Sequence, residues 1–174
     1  MGPSGSGKST LLNSLAHRAL PKKSTMEGSV MINRAPASLS AIRRLSCYVE
    51  QEDSLIGSLT ARETLDFAAK LSLPSSVSKV ERRRRVDGLL EAFGLKEQAD
   101  TIIGTPIRKG LSGGQKRRVG IASQLITCPK ILFLDEPTSG LDSAASREVI
   151  RYLKDVVKKN RVYALSKFFY LEFC

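Results

Sequence analysis

Met1-Gly2-Pro3-Ser4-Gly5-Ser6-Gly7-Lys8-Ser9-Thr10 opens the chain, and Gly2 to Ser9 fit the pattern G-x-x-x-x-G-K-[ST]. Such a stretch is a loop whose backbone N–H groups wrap phosphates, followed by a helix whose N-terminus favours anions. Glycines are needed where a side chain would block the close approach or where the turn requires positive φ. Lys8 has the reach for the outer phosphates, and the Ser9 hydroxyl suits Mg²⁺. Leu11, Leu12 and Leu15 then give the spacing of one buried helix face. The alternative is a Gly/Ser linker that happens to contain Lys. A full match followed by a helical pattern decides against it. A loop of this kind follows a strand, and only Met1 stands before it here. The expectation is therefore a fragment, or a gene model that begins too late.

Downstream, Gly28 to Asn33 and Cys47-Tyr48-Val49 read as short strands. A helix begins at Thr60, where Glu63 completes a T-x-x-E capping box, with Leu65, Ala68, Ala69 and Leu71 as its apolar face and Pro74 as its stop. A second helix runs from about Lys79 to Phe93, with Val86, Leu89, Leu90 and Phe93 inward and Gly94 at its C-cap. Ser112-Gly113-Gly114 opens a basic helix and offers another anion-binding N-terminus. Ile131 to Leu134 is a continuous apolar run, as in a parallel strand covered on both faces. It ends in Asp135-Glu136, where ligands bind in α/β sheets. An Asp there can hold Mg²⁺, and a Glu can orient and deprotonate water. Pro137 to Asp142 is a turn, and a last helix from Ser143 to about Lys159 buries Val149, Ile150, Leu153, Val156 and Val157.

Composition narrows the class. The chain has 174 residues with 41% hydrophobic and 26% charged, enough for one folded domain and against disorder. No run approaches the ~20 apolar residues of a membrane helix. Cys47, Cys128 and Cys174 form no CxxC, and His17 stands alone, which argues against zinc, disulfide and Ser-His-Asp chemistry. The net charge of +11 admits nucleic acid, an anionic membrane surface or a polyphosphate as partner. It is concentrated at Arg82 to Arg85, at Lys116 to Arg118 and at Lys158, Lys159 and Arg161, which read as three solvated helix faces. They lack the interleaved aromatics of RNA recognition, so nucleic acid is not expected. Of the 6 Phe and 4 Tyr, Tyr163, Phe168, Phe169, Tyr170 and Phe173 crowd the last residues.

Taken in order, these motifs resemble the nucleotide-binding domain of ABC transporters from Gly2 to about Asn160. Walker A covers Gly2, Pro3, Ser4, Gly5, Ser6, Gly7, Lys8, Ser9 and Thr10. The Q-loop is Gln51, the signature Leu111-Ser112-Gly113-Gly114-Gln115, Walker B ends at Asp135 with Glu136 next, and the D-loop is Ser139-Gly140-Leu141-Asp142. Gln51-Glu52-Asp53, Arg108-Lys109-Gly110 before the signature and Lys116-Arg117-Arg118 after it resemble the G subfamily, the White and pleiotropic-drug-resistance type. The resemblance implies an α/β fold: a P-loop NTPase core of mixed or parallel sheet flanked by helices, with a helical subdomain that carries the signature. It implies ATP and Mg²⁺ as cofactors, the metal held by Ser9, Gln51 and Asp135, and Glu136 polarising the attacking water. It implies a second such domain in a head-to-tail sandwich, the signature acting in trans, and a transmembrane domain. The site would be the cytoplasmic face of a membrane and the cargo lipids, sterols or xenobiotics.

The division expected is a partial ATP-binding domain over 1–161, with the helical subdomain at about 54–125, and an atypical tail over 162–174. The strand before Walker A and the switch histidine are lacking, so this chain is expected to hydrolyse little ATP. Without that strand, the one ending at Leu134 is expected to have an unpaired edge, which the aromatic tail could partly fill. Two other readings stand: a soluble, non-transport ABC ATPase acting on ribosomes or nucleic acid, and a non-functional gene-model fragment.

Overall fold

A computed structural model describes residues 5–18 and 27–166, and the backbone of Tyr170 and Leu171. Gly2, Pro3, Ser4 and Cys174 of the sequence reading lie outside them, as do Phe168, Phe169 and Phe173. The element order is α1 (Lys8–Leu15), β1 (Met31–Ile32), β2 (Ala35–Pro36), α2 (Leu39–Leu45), β3 (Ser46–Val49), α3 (Ala61–Ser72), α4 (Lys79–Ala92), α5 (Gly113–Leu125), β4 (Ile131–Leu134), α6 (Ser143–Asn160), β5 (Tyr163–Ser166) and β6 (Tyr170–Leu171).

The apolar run at β4 is the middle of a four-stranded mixed sheet. β3 pairs with it in parallel, Ser46 opposite Ile131 and Val49 opposite Leu134. β5 pairs in parallel on its other side, Ile131 opposite Tyr163 and Leu134 opposite Ser166, and β6 closes antiparallel on β5. Two neighbours and two covered faces explain why Leu132, Phe133 and Leu134 are all buried. The expected unpaired edge on this strand is therefore corrected, and Tyr163 to Ser166, the start of the tail expected to fill part of that gap, are the residues that pair with it. Tyr163 to Ser166 follow α6 directly, and a strand–helix–strand crossover returns the chain to lie beside the strand it left.

Between β3 and β4 the chain builds a helical cluster. Thr60 caps α3 with the expected box: its hydroxyl accepts from Glu63 N, and the Glu63 carboxylate accepts from Thr60 N at 2.8 Å. Ser78 caps α4, and Gly94 just beyond it takes φ 61°, the left-handed turn that ends the helix. Leu65, Ala69, Val86, Leu90 and Phe93 meet Val119, Ile121, Ala122 and Leu125 of α5 in one continuous core that runs on to β4 and α6. α5 touches α3, α4, α6 and β3, so it is enclosed on nearly every side.

Several expectations are corrected by this packing. Leu11 and Leu71 are 62% and 72% exposed, because α1 and α3 each pack on one narrow side only. Ile150 is half-buried at the rim of the α6 stripe. The strand at Gly28 to Asn33 shrinks to Met31–Ile32, turned by Asn33 and Arg34, both at positive φ. The run Lys116 to Arg118 is not a solvated face: Arg117 and Arg118 are 3% and 6% exposed. Among the described residues no helix is long and apolar enough to cross a membrane.

Candidate functional site

The site forms where the start of α1 meets the carboxyl ends of β3 and β4. Gly5 and Gly7 both take φ 80°, a conformation that favours glycine, and Gly7 is the N-cap of α1. The first N–H groups of that helix have no intrahelical partner and carry the positive end of its dipole. Lys8 Nζ donates to Ser6 Oγ at 3.3 Å and so stays folded over the loop.

Ser9, on the first turn, donates from Oγ to Asp135 Oδ1 at 3.3 Å across 126 residues of sequence. Asp135 is the first residue past β4, and its N–H is fixed on Val49 O at 2.9 Å. Its other oxygen accepts from Tyr48 Oη at 3.2 Å. Burial and the adjacent Asp135 carboxylate push the Tyr48 phenol well above its ordinary range, so it stays a donor. The Arg18 guanidinium lies 4.3 Å above the Tyr48 ring and pairs with Glu50 at 2.5 Å. Tyr48 and Arg18 are members that the sequence reading missed. Neither belongs to a motif, and they meet only through the strand register and the end of α1.

Gln51 and Asp135 line one cleft of about 470 Å³ with Asn13, Arg18, Tyr48 and Glu50. Gln51 Nε2 donates to Ser139 Oγ at 3.0 Å, which joins the loop after β3 to the turn before α6. Glu136 sits half-buried with φ 47°, a strained left-handed backbone for a residue with a Cβ. A hydroxyl, a carboxylate and an amide oxygen on neighbouring elements are hard oxygen donors and fit Mg²⁺. Cys47 points to no nucleophilic chemistry, since burial pushes its thiol up to about 12.

The signature residues form a separate surface. Ser112 is the N-cap of α5, its hydroxyl accepting from Gln115 N while the Gln115 side chain accepts from Ser112 N at 2.8 Å. Ser112 and Gly113 are exposed, whereas Leu111 and Gly114 are buried. A Cβ on Gly114 would lie 2.9 Å from Ala145 Cβ, so this glycine also lets α5 and α6 close together. Of the turn residues, Asp142 caps α6 by accepting from Ala144 N and Ala145 N at 2.9 and 2.8 Å. Gly140 takes φ 74°, and Leu141 packs against the core.

A buried guanidinium lies behind these surfaces. Arg117 donates to Asp53 Oδ1 at 2.7 Å. Burial pushes the Asp53 carboxyl upward, and Arg117 pulls it back without cancelling the rise.

Comparison with known proteins points one way. The sequence profile described as ABC transporter matches residues 1–139. The ABC transporter G family member STR of Petunia hybrida is 45% identical over 166 residues, 95% of this chain and 20% of that protein. The broad substrate specificity ATP-binding cassette transporter ABCG2 of Mus musculus is 43% identical over 166 residues, 95% of this chain and 25% of that protein. Among solved structures, cbiO1 of Clostridium perfringens, described as part of the ABC transporter complex cbiONQ, superposes with a TM-score of 0.76 at 29% identity. It covers 95% of this chain and 64% of its own. The chain thus spans about a fifth to a quarter of the length of these curated relatives.

Proposed function

The chain belongs to the ABC transporter family, as an ATP-binding domain of the G-family type, and from that premise we propose that it binds MgATP at the start of α1 and drives a membrane exporter by hydrolysing it. The observation that carries the reading is the convergence of Ser9 and Asp135 at 3.3 Å on the Gly7 end of α1, with Gln51 across the same cleft.

Each residue has a part in the reading. Gly2 to Thr10 cradle the triphosphate, every residue but Pro3 having a backbone N–H to donate, and Lys8 adds its charge at the outer end. Ser9, Gln51 and Asp135 would hold Mg²⁺, which when bound offsets the charge of the phosphates. Glu136, one residue past Asp135, accepts a proton from the attacking water. Tyr48 fixes the Asp135 carboxylate from the side away from Ser9. Ser112, Gly113 and Gly114 face the γ-phosphate held by a second such domain, head to tail. The D-loop, Ser139 to Asp142, keeps that face in register with Gln51.

On this reading the ATP-binding domain is 1–161, residues 54–125 are its helical subdomain, and 162–174 is the tail. A transmembrane domain would receive the work at the cytoplasmic face, with lipids, sterols or xenobiotics as cargo. Turnover in this chain alone is slow, because its one histidine, His17, lies beyond α1 and β5 carries none.

The test is a titration with a fluorescent ATP analogue, with and without Mg²⁺, followed by phosphate release. Lys8→Ala is expected to weaken binding by about tenfold or more, the worth of one charge-assisted hydrogen bond. Asp135→Asn should abolish the Mg²⁺ dependence. Equal binding by the unsubstituted chain and by Lys8→Ala would defeat the reading.

A further inference from the structure

Arg117 stands two residues past Gln115 on α5, in the basic run after the signature, a run to which the resemblance assigns no role. It is 3% exposed. Its guanidinium spends three nitrogens on three partners. Nε donates to Pro137 O at 2.8 Å, Nη1 to Asp53 Oδ1 at 2.7 Å, and Nη2 to Glu50 O at 2.7 Å. Glu50 and Asp53 bracket Gln51. Pro137 follows Glu136 and precedes Ser139, the residue that accepts from Gln51. A buried guanidinium is costly unless its donors are answered. Here every one of these partners comes from a loop of the candidate site, and none from the helices around it.

The neighbouring surface is shaped for the contact. Gly120 lies one turn further along the same face of α5. A Cβ there would lie 2.2 Å from Asp53 Oδ1, so only glycine lets that carboxylate reach Arg117. A planar fork with five donors can serve three acceptors in different directions, which a lysine ammonium on a flexible stem does poorly.

We propose that Arg117 is a positioning residue that locks the Gln51 loop and the Glu136 loop to α5, so that both move as one body with the Ser112 end of the helix. The proposal rests on the nucleotide reading and deepens it. Gln51, Asp135 and Glu136 face the nucleotide held by this chain, and Ser112 faces the one held by a second domain. Five residues of helix, roughly 7.5 Å, separate Ser112 from the guanidinium. A displacement at one nucleotide surface is thereby passed to the other through a rigid rod.

The decisive experiment is amide hydrogen exchange by NMR on the nucleotide-free chain and on Arg117→Met, Arg117→Lys and Gly120→Ala. In Arg117→Met the Asp135 amide, bonded to Val49 O, and the Ser139 amide, bonded to Glu136 O, should exchange about tenfold faster or more. The Ala61 and Arg62 amides, bonded to Thr101 O and Ala99 O, should not change. Arg117→Lys should recover part of the protection. Gly120→Ala, which displaces Asp53 and keeps Arg117, should move the Gln51 side-chain amide signals toward those of a glutamine that has lost its bond to Ser139 Oγ. In binding, Arg117→Met should weaken MgATP by about tenfold and leave ATP in EDTA within about threefold. Faster exchange spread evenly through α3 and the sheet, or confined to α5, would overturn the inference. If Arg117→Met does not fold, Arg117→Lys and Gly120→Ala decide by the same signals. A lack of MgATP protection at Gly5 to Thr10 in the unsubstituted chain would count against the nucleotide reading alone, because the exchange comparison needs no nucleotide.

Discussion

Arg83 and Arg84 of the run on α4 stand in solvent, and Arg82 and Arg85 lean on Pro74 O and Glu81 at its rim. Arg117 and Arg118 of the run on α5 are buried. The two runs look alike in sequence, and their helices differ in what surrounds them. α4 packs along one stripe, Val86 and Leu90, so its cations keep their water. α5 is enclosed, and its cations are kept because loops and helix ends present acceptors to them. Arg118 donates to Phe93 O at 3.0 Å, at the carboxyl end of α4, where a helix favours a cation. It also pairs with Glu148 at 3.4 Å and lies 4.9 Å over the Tyr152 ring. A charge run therefore announces no face. Enclosure of the helix decides, and it is a tertiary property.

The largest effect expected from this contrast is at Arg118. Arg118→Ala takes the guanidinium from Phe93 O, leaves Glu148 with its 4.0 Å contact to Arg151 and opens a void beside Tyr152, which should cost ~3–5 kcal/mol in urea denaturation. A loss below about 1 kcal/mol would place Arg118 with the solvated cations.

A smaller effect concerns Asp53, the acceptor that Arg117 meets. Its folded pKa is raised above the ordinary 3.8, burial outweighing Arg117. The folded state then holds the proton more tightly than the unfolded one, so the ionised carboxylate is the penalised form. Stability should fall as pH rises through the window from 3.8 to the raised value, and stay level above it. Asp53→Asn should remove that slope. A slope of opposite sign, with stability rising with pH, would mean that Arg117 outweighs burial.

The smallest effect belongs to the solvated run. Arg83→Ala and Arg84→Ala should each change stability by no more than ~0.5 kcal/mol, since both are exposed and Arg84 meets Glu81 at 3.9 Å in an exposed pair. A loss of several kcal/mol at either position would break the comparison from its other side.

What was legible in sequence follows the range of the forces involved. The α3 capping box, the left-handed Gly94 and the apolar β4 are set by neighbours a few residues away, and the structure keeps them. The pairing of β5 with β4 was legible only as a gap beside β4 that the aromatic tail could partly fill; its parallel register depends on a crossover that nothing local in Tyr163 to Ser166 announces. The Ser9–Asp135 contact was readable only as two halves of one motif order. Tyr48 and Arg18 gave no signal, since strand register alone places a phenol against Asp135. Arg117 was read as solvated because its acceptors are a carboxylate and two backbone carbonyls from loops far away in the chain.

The parallel register of β3 on β4 carries a consequence for the folding route. Val49 and Leu134 are paired, and the whole helical cluster lies between them in the chain. Closing so long a segment adds little to the equilibrium cost, about 0.6 kcal/mol per doubling of length. Its effect on rate is larger, because distant contacts must be found before they contribute. α6 needs only a short crossover to bring β5 onto β4, and the helices of the cluster meet close neighbours. The expected order is helical cluster and β4–α6–β5 unit first, β3 last, which pulse-labelled hydrogen exchange can follow. The strand that leads into the Gln51 loop would then be the last piece of the sheet to join, and the loop would find its place beside Asp135 only when the rest of the molecule is already built.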